Sequence, residues 1–238
     1  MIRTLFANLV HYTSARIRHP KVFEYRGLTI PLTATPEFES VRRSMYRGDY
    51  EGHELKALSA LIKPDDVVLE LGAGLGVVST FIAKRLNSPE QLTTVEANPR
   101  LLPSIEAVAA HNGLKLKVLQ GAVGARDGTA EFFFANNFHS SSTLDRGIGA
   151  QATVVETLAF DRLLRDIKPS VVVFDIEGGE VEIFANPLPA TVRVVCGEMH
   201  PHIVGDAAIT RIIESLIQQG FMLRVDQSLG RAFAFERP

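Results

Sequence analysis

The chain has 238 residues, 46% of them hydrophobic, which predicts a single domain with a sizeable core. A formal net charge of −2 gives no global argument for a nucleic-acid partner. The only cysteine, Cys196, excludes an internal disulfide, so a cytoplasmic location is expected. No apolar stretch approaches the ~20 residues that cross a bilayer, and neither a transmembrane segment nor a signal peptide is expected.

The first 48 residues are basic, with eight Lys or Arg against three Asp or Glu. Apolar residues recur there at helical spacing, at Ile2, Leu5, Phe6, Leu9 and Val10. Such a basic amphipathic helix packs on its own domain, on a second copy of the chain, or on a membrane surface. A homodimer through this segment is therefore one expected partnership.

Residues 1–62 are predicted to form an N-terminal helical cap ahead of a main domain over residues 63–238. A strand pair is predicted around the Arg26-Gly27 turn, followed by helices over residues 37–46 and 51–62. No repeat or low-complexity linker is present, so the cap is not expected to fold separately.

A buried strand, a glycine-rich turn and a helix start are predicted over residues 67–79. The glycines of the turn, Gly72, Gly74 and Gly76, let the backbone bend tightly beneath a ligand beside a helix N-terminus. A dinucleotide-binding turn has its third glycine where this chain has Val77. The pattern is instead Glu-x-Gly-x-Gly-x-Gly and begins at Glu70.

An acidic residue follows the second predicted strand. This strand spans residues 92–95 and leads into Glu96, which lies 24 residues after Gly72. An acidic side chain at this point accepts hydrogen bonds from both ribose hydroxyls of a nucleotide-like cofactor. Glu96 is therefore assigned to a cofactor site, together with Ala97 and Asn98, which follow it.

Strand and helix continue to alternate after Glu96, as a doubly wound α/β sheet requires. A helix is predicted from Pro99 to about His111, then a third strand and a small-residue loop over residues 121–124. Residues 125–156 interrupt the alternation with two extended segments. The serine-rich stretch between these is expected to close over the cofactor, to line a substrate pocket, or to be a hairpin loop.

Acidic and imidazole groups follow the fourth and fifth predicted strands. Asp175 and Glu177 share one face because strand side chains alternate, and Glu198 and His200 do so on the next strand. Ligands bind outside the carboxyl ends of such strands. Asp175, Glu177 and His200 are therefore predicted as catalytic, with His200 taking a proton from a substrate hydroxyl. A structural role for His200 and a helix-capping role for Glu177 stay open.

Four of these side chains also make a candidate metal set, namely Asp175, Glu177, His200 and His202. No compact ligand motif such as H-E-x-x-H accompanies them, so no metal is expected. A helix over residues 206–219 and closing strands over residues 221–225 and 231–235 bring the predicted sheet to seven strands.

These motifs resemble the FkbM family of class I methyltransferases, over residues from about 47 to 236. The segments that carry the resemblance are Asp49-Tyr50-Glu51, Glu70-Leu71-Gly72-Ala73-Gly74-Leu75-Gly76, Val95-Glu96-Ala97-Asn98-Pro99, Ser141-Ser142-Thr143-Leu144 and Phe174-Asp175-Ile176-Glu177-Gly178-Gly179-Glu180. The resemblance implies a Rossmann-like fold, with a seven-stranded, mostly parallel sheet, helices on both faces and a final antiparallel hairpin.

The resemblance also implies a cofactor, S-adenosylmethionine. In such enzymes the glycine turn lies along the methionine and ribose portion, and the acidic residue corresponding to Glu70 acts, often through water, on the ammonium end. The loop containing Ala122 and Val123 would border the adenine. The family often has Asp at the position of Glu70 and Lys at that of Phe174, so Phe174 removes a cation.

The implied reaction is O-methylation of a hydroxyl on a sugar or polyketide-like natural product. A small-molecule acceptor and no nucleic acid are therefore expected. Two other classes of protein share this fold and stay open as alternatives: an NAD-dependent oxidoreductase and a non-catalytic nucleotide-binding module. The missing glycine at Val77 argues against the first.

Overall fold

The structure is a computed structural model that describes residues 20–134 and 151–238. Its strands are β1 (Phe23–Tyr25), β2 (Leu28–Ile30), β3 (Val68–Leu71), β4 (Leu92–Glu96), β5 (Lys117–Gln120), β6 (Ala122–Gly124), β7 (Gly128–Phe134), β8 (Gln151–Ala159), β9 (Val171–Phe174), β10 (Val194–Glu198), β11 (Met222–Leu223) and β12 (Ala232–Glu236). Its α-helices are α1 (Phe38–Arg47), α2 (Gly52–Leu61), α3 (Val77–Ala83), α4 (Leu102–His111), α5 (Phe160–Ile167), α6 (Glu180–Ile183), α7 (Pro201–Val204) and α8 (Asp206–Gln218).

A seven-stranded sheet with the order β11-β12-β10-β9-β3-β4-β5 organises the molecule. β12 runs antiparallel to both of its neighbours, whereas the other described pairings in this sheet are parallel. The order reverses direction between β3 and β9, and a ligand crevice is expected outside the strand ends at such a point. The predicted Rossmann-like sheet is confirmed.

The core lies on both faces of this sheet, as the apolar runs of the sequence require. In β9, Val171 and Val173 pack into one hydrophobic cluster, while Val172 and Phe174 pack into the other. Helices α1 to α4 cover the first face, and α5, α6 and α8 cover the second. The elements before Pro64 share the first cluster with the sheet, whereas the boundary after residue 62 stays a prediction.

The strand pair predicted around Arg26-Gly27 forms a separate two-stranded sheet, β1-β2. A third sheet, with the order β6-β8-β7, contains the two predicted extended segments as β7 and β8, but its third strand was not foreseen. Residues 122–124 were predicted as a loop, but they form β6 and pair in parallel with residues 157–159 of β8. The two strands approach closely at Gly124, where a Cβ would lie 2.8 Å from Cγ2 of Thr157. The loop prediction was wrong because the partner strand lies beyond the interrupted stretch and leaves no local signal.

Two further predictions differ from the structure near the end of the chain. Asp206 was predicted to cap the last long helix, but Gly205 takes that position, with φ +85°, and Asp206 is the first helical residue. The strand predicted over residues 221–225 is shortened to β11. A 3₁₀ turn begins at Val225, beside the ion pairs of Arg224 with Asp226 and Glu236.

Some predictions fall outside the described residues. These are the N-terminal amphipathic helix with its proposed dimer or membrane contact, and the serine-rich segment that includes Ser141-Ser142-Thr143-Leu144. Among the helices that the structure does describe, none combines the length and hydropathy of a membrane span.

A buried ion pair links the residues that precede three sheet strands, β3, β9 and β10. Asp66, which is 4% exposed, accepts hydrogen bonds from the Lys63 N–H at 2.7 Å and from Oγ of Ser170 at 2.7 Å. Nε of Arg193 donates to it at 3.0 Å, and the same guanidinium donates to the Leu61 carbonyl at 2.8 Å. Burial alone would raise the pKa of Asp66, but these donors hold it below its ordinary value.

Replacing Asp66 with alanine should lower the free energy of unfolding by about 2 kcal/mol at neutral pH, because the mostly buried Arg193 loses its nearest carboxylate and keeps only the longer ion pair with Glu236, at 3.5 Å. Since the folded pKa lies below the unfolded one, this stabilisation is present above about pH 4 and is lost as the pH falls through the folded value. Urea unfolding at two pH values measures both effects. The neighbouring Asp65→Ala change, at an exposed site, is the control and should cost under about 0.5 kcal/mol.

Candidate active site

A cavity of about 470 Å³ lies along the carboxyl ends of the central strands. Seven of the nine predicted cofactor residues line it: Gly72, Gly74, Glu96, Ala97, Asn98, Ala122 and Val123. The predicted catalytic residues Asp175 and Glu177 line it too. The sheet order therefore places these groups in a row, from Glu198 at the end of β10 through Asp175 and the glycine turn to Glu96 at the end of β4.

The three glycines of the turn are required for different reasons. At Gly72, with φ +86°, a Cβ would lie 2.0 Å from the carbonyl oxygen of Asp175. At Gly76, with φ +80°, a Cβ would lie 2.7 Å from Cα of Ile105 in α4. Gly74, with φ +54°, has nothing within 4 Å of its Cβ position. Gly72 and Gly76 thus allow close packing, whereas Gly74 leaves open space beside the cavity.

Glu96 faces the cavity and also holds the turn in place. Its two carboxylate oxygens accept hydrogen bonds from the N–H of Gly74 at 2.9 Å and the N–H of Asn98 at 2.7 Å. Burial raises the pKa of Glu96 to about 7, although these N–H donors oppose the shift. The carboxylate also lines the cavity, where ribose hydroxyls of a bound cofactor would reach it.

Glu70 and Gly76 lie outside the cavity lining. Glu70 is 1% exposed within β3, where its carboxylate accepts a hydrogen bond from the Thr94 hydroxyl of β4. Burial raises the pKa of Glu70 to about 7, and hydrogen bonds from Ser79 and Thr94 oppose the rise. The geometry places Glu70 and Gly76 beneath the turn, and the predicted action of Glu70 on the ammonium end of the cofactor, often through water, stays a prediction.

His200 is fully buried beneath the acidic groups and does not line the cavity. Its Nδ1 contacts the buried carboxylate of Glu180, and its Nε2 lies 3.4 Å from Oδ1 of Asp175. Burial alone would lower the pKa of His200, but the hydrogen bond to Glu180 and the nearby carboxylates raise it. The prediction that His200 meets the acceptor directly is therefore corrected.

Other cavity residues were missed as site residues in the sequence. Glu198 lines the cavity and pairs with Arg231, NH2 to Oε1, at 2.7 Å. Tyr50 and Glu51 line it from the start of α2. The shared face of Glu198 and His200 was a usable signal for Glu198. No sequence signal pointed to Arg231, because it is brought to the cavity only by the antiparallel pairing of the next strand, β12, with β10.

The profile of the FkbM methyltransferase domain matches residues 70–223, which is more than half of the chain. The chain belongs to the FkbM methyltransferase family. Its cofactor is S-adenosylmethionine, as the resemblance implied, and family membership favours methyl transfer over NAD-dependent oxidoreduction. The turn and the Glu96 carboxylate of this methyltransferase fit such a cofactor.

Individual relatives are more distant from this methyltransferase. A ribosomal protein L11 methyltransferase of Thermus thermophilus is 33% identical over 103 residues, which are 42% of this chain and 37% of the relative. A precorrin-6y C5,15-methyltransferase of Geobacter metallireducens has a TM-score of 0.47 and 15% identity, covering 79% of this chain and 88% of its own. A TehB-like methyltransferase of Corynebacterium glutamicum has a TM-score of 0.46 and 12% identity, covering 87% of this chain and 100% of its own.

Replacing Glu96 with glutamine should weaken binding of S-adenosylhomocysteine at least tenfold, about 1.4 kcal/mol. In the native protein the affinity should rise with pH up to about 7 and then level off, because the ribose hydroxyls need the ionised carboxylate and its pKa is about 7. Calorimetric titration across this range measures both effects.

Two variants test whether Glu96 is the group that causes the pH dependence of binding. Glu96→Gln should bind with little pH dependence, while Glu177→Gln, which removes another cavity carboxylate, should keep the native pH profile. An unchanged profile in Glu96→Gln would contradict the assignment of the titrating group.

Proposed function

We propose that this methyltransferase transfers the methyl group of S-adenosylmethionine to a hydroxyl oxygen of a small acceptor, a sugar or a hydroxylated natural product. The observation that carries the proposal is the row of carboxylates beside the cofactor end of the cavity, formed by Glu51, Asp175, Glu177 and Glu198. Carboxylates accept hydrogen bonds, and a polyhydroxylated molecule offers several donors in a small volume.

Asp175 is the residue best placed to orient the acceptor. It follows β9 directly, its backbone carbonyl packs against Gly72 of the turn, and its side chain is 41% exposed. S-adenosylmethionine supplies a methyl group that its sulfonium already activates. Asp175 and Glu177 are then left to align the acceptor hydroxyl and to accept its proton, and alignment alone supplies much of the rate.

His200 acts in this proposal as a positioning residue. It touches Asp175 from beneath, and the buried Glu180 fixes its ring through Nδ1. Burial raises the pKa of Asp175, and the charges of Glu198 and Glu177 raise it further, whereas His200 opposes these effects. His200 therefore favours the ionised form of the side chain that meets the acceptor.

The local charge supports a small neutral acceptor over a nucleic acid. A phosphate backbone entering the cavity would meet four carboxylates, with Arg231 at the same edge already paired to Glu198. Burial raises the pKa of Glu51 and Asp175, so the repulsion of a phosphate comes from those members of the set that are ionised. Hydroxyl groups of a sugar carry no such penalty.

The test is a methyl-transfer screen with ¹³C-methyl-labelled cofactor. The acceptors are monosaccharides and hydroxylated natural products, with a structured RNA and a ribosomal protein as comparison acceptors. The proposal expects label on an oxygen of a small acceptor, identified by NMR of the product. Label only on RNA, on protein, or on nitrogen or carbon would contradict it. Cofactor binding without transfer to any acceptor would favour the non-catalytic alternative.

A further inference from the structure

We propose that Asp175, Glu198 and His200 form a binding site for a divalent transition-metal ion at the acidic edge of the cavity. One donor atom from each of these three residues lies within 4.8 Å of the other two. The residues come from the ends of two neighbouring parallel strands, β9 and β10. No compact metal motif is present in the sequence because the sheet, and not local spacing, brings these three residues together.

The orientation of His200 carries this inference. Its ring is fully buried, and Nδ1 contacts Oε1 of Glu180, which is also fully buried. A carboxylate only accepts hydrogen bonds, so Nδ1 carries the proton. A metal ion would take the place of the Nε2 proton that the neighbouring carboxylates otherwise favour, and would bind the lone pair of Nε2, the atom aimed at the other carboxylates. Histidine ligands of metals show this same arrangement, with the second ring nitrogen donating to a carboxylate.

Nε2 of His200 lies among the carboxylates without bonding to any one of them. It is 3.4 Å from Oδ1 of Asp175 and 3.9 Å from Oε2 of Glu198. Neither Nε2 nor Oδ1 of Asp175 has a hydrogen-bond partner among the described residues, although both atoms are buried. A simple imidazolium–carboxylate pair would bring Nε2 into a hydrogen bond with one oxygen. The distances of Nε2 from the two carboxylate oxygens instead fit a metal ion bound between the three side chains.

The distances suit a metal after small side-chain movements. Metal–ligand bonds of about 2.0–2.2 Å place neighbouring donor atoms about 3 Å apart. Asp175 and Glu198 have side chains that are 41% and 21% exposed, so both are able to move inward toward His200. Arg231 pairs with Oε1 of Glu198, which leaves Oε2 facing His200.

The donor chemistry selects the class of ion. One imidazole nitrogen with two carboxylate oxygens suits Mn²⁺, Fe²⁺ or Zn²⁺ better than Mg²⁺, because Mg²⁺ prefers oxygen donors. Three protein ligands leave coordination positions open toward the cavity. A hydroxyl bound at such a position would lose its proton more readily, and this catalytic role rests on the proposed function. The metal site itself does not depend on it.

The test is Mn²⁺ binding to the metal-free full-length chain, with free Mn²⁺ measured by electron paramagnetic resonance. We expect one Mn²⁺ per chain, with affinity lowered at least tenfold in Asp175→Asn and in Glu198→Gln. The control is Asp49→Asn, which removes a carboxylate that lines the same cavity but pairs with Arg47. Its affinity should stay within about twofold of the native value.

The outcomes distinguish this inference from the proposed function. Circular dichroism checks the fold of each variant. Because the Asp175 side chain is partly exposed, Asp175→Asn keeps the test usable if another variant unfolds. Absence of stoichiometric binding below about 1 mM Mn²⁺, or equal binding in all variants, would overturn the metal site. Mn²⁺ binding is measured without cofactor or acceptor, so failure of methyl transfer leaves this result standing.

Discussion

Replacing Gly72 with alanine should lower the free energy of unfolding by roughly 4 kcal/mol, enough to leave little folded protein. The added Cβ would lie 2.0 Å from the Asp175 carbonyl oxygen, and φ +86° is itself unfavourable for alanine. The Cβ is fixed to the main chain and its partner is a main-chain oxygen, each just after the end of one of two adjacent parallel strands, so no rotamer change relieves the overlap. Soluble yield and urea unfolding measure the effect.

The matched control is Gly74→Ala in the same turn. Its φ of +54° costs alanine about 1 kcal/mol, and open space surrounds the added methyl group. This variant should fold but bind S-adenosylhomocysteine more weakly, because the methyl group enters the cavity. Equal stability of the two variants would show that the close approach at Gly72 is not what makes this glycine necessary.

Replacing Asp175 with asparagine should lower turnover about 100-fold or more, because it removes the carboxylate that aligns the acceptor and accepts its proton. The shape of the side chain is retained and its surroundings are partly exposed, so stability should change little. Affinity for S-adenosylhomocysteine should also stay within about twofold. The measurement compares kcat and cofactor affinity for an acceptor found in the labelling screen.

Glu214→Gln is the control for this change, since Glu214 is exposed on α8 and does not line the cavity. Native turnover in Asp175→Asn would remove Asp175 from the mechanism. A large loss of cofactor affinity in the same variant would place its effect in the turn instead.

The central sheet was predictable because each of its buried strands leaves a short apolar run in the sequence. Residues 171–174 are all apolar, which only a strand covered on both faces requires. Glu96 and Asp175 were predictable as cavity residues because the carboxyl ends of parallel strands meet at one edge. Their assigned contacts with cofactor and acceptor stay predictions.

The depth of a side chain below that edge was not predictable. Glu70 and His200 were expected to meet ligands, yet both are buried beneath the residues that line the cavity. Alternation along a strand gives the face of a side chain but not what covers it. Arg231 and β6 depend on partners far along the chain, for which a single sequence holds no local pattern.

The contact between Gly72 and Asp175 also bears on how acceptor preference is able to change. The Asp175 N–H donates to the Leu71 carbonyl at 2.8 Å, and the Gly72 N–H donates to the Val95 carbonyl at 2.9 Å. Main-chain hydrogen bonds thus fix the glycine turn and the backbone of Asp175 relative to each other before any ligand binds. Side chains farther along the edge that take no part in this alignment, such as Arg231, are then able to change without disturbing it, which gives evolution a way to recruit new acceptors on an unchanged main-chain frame.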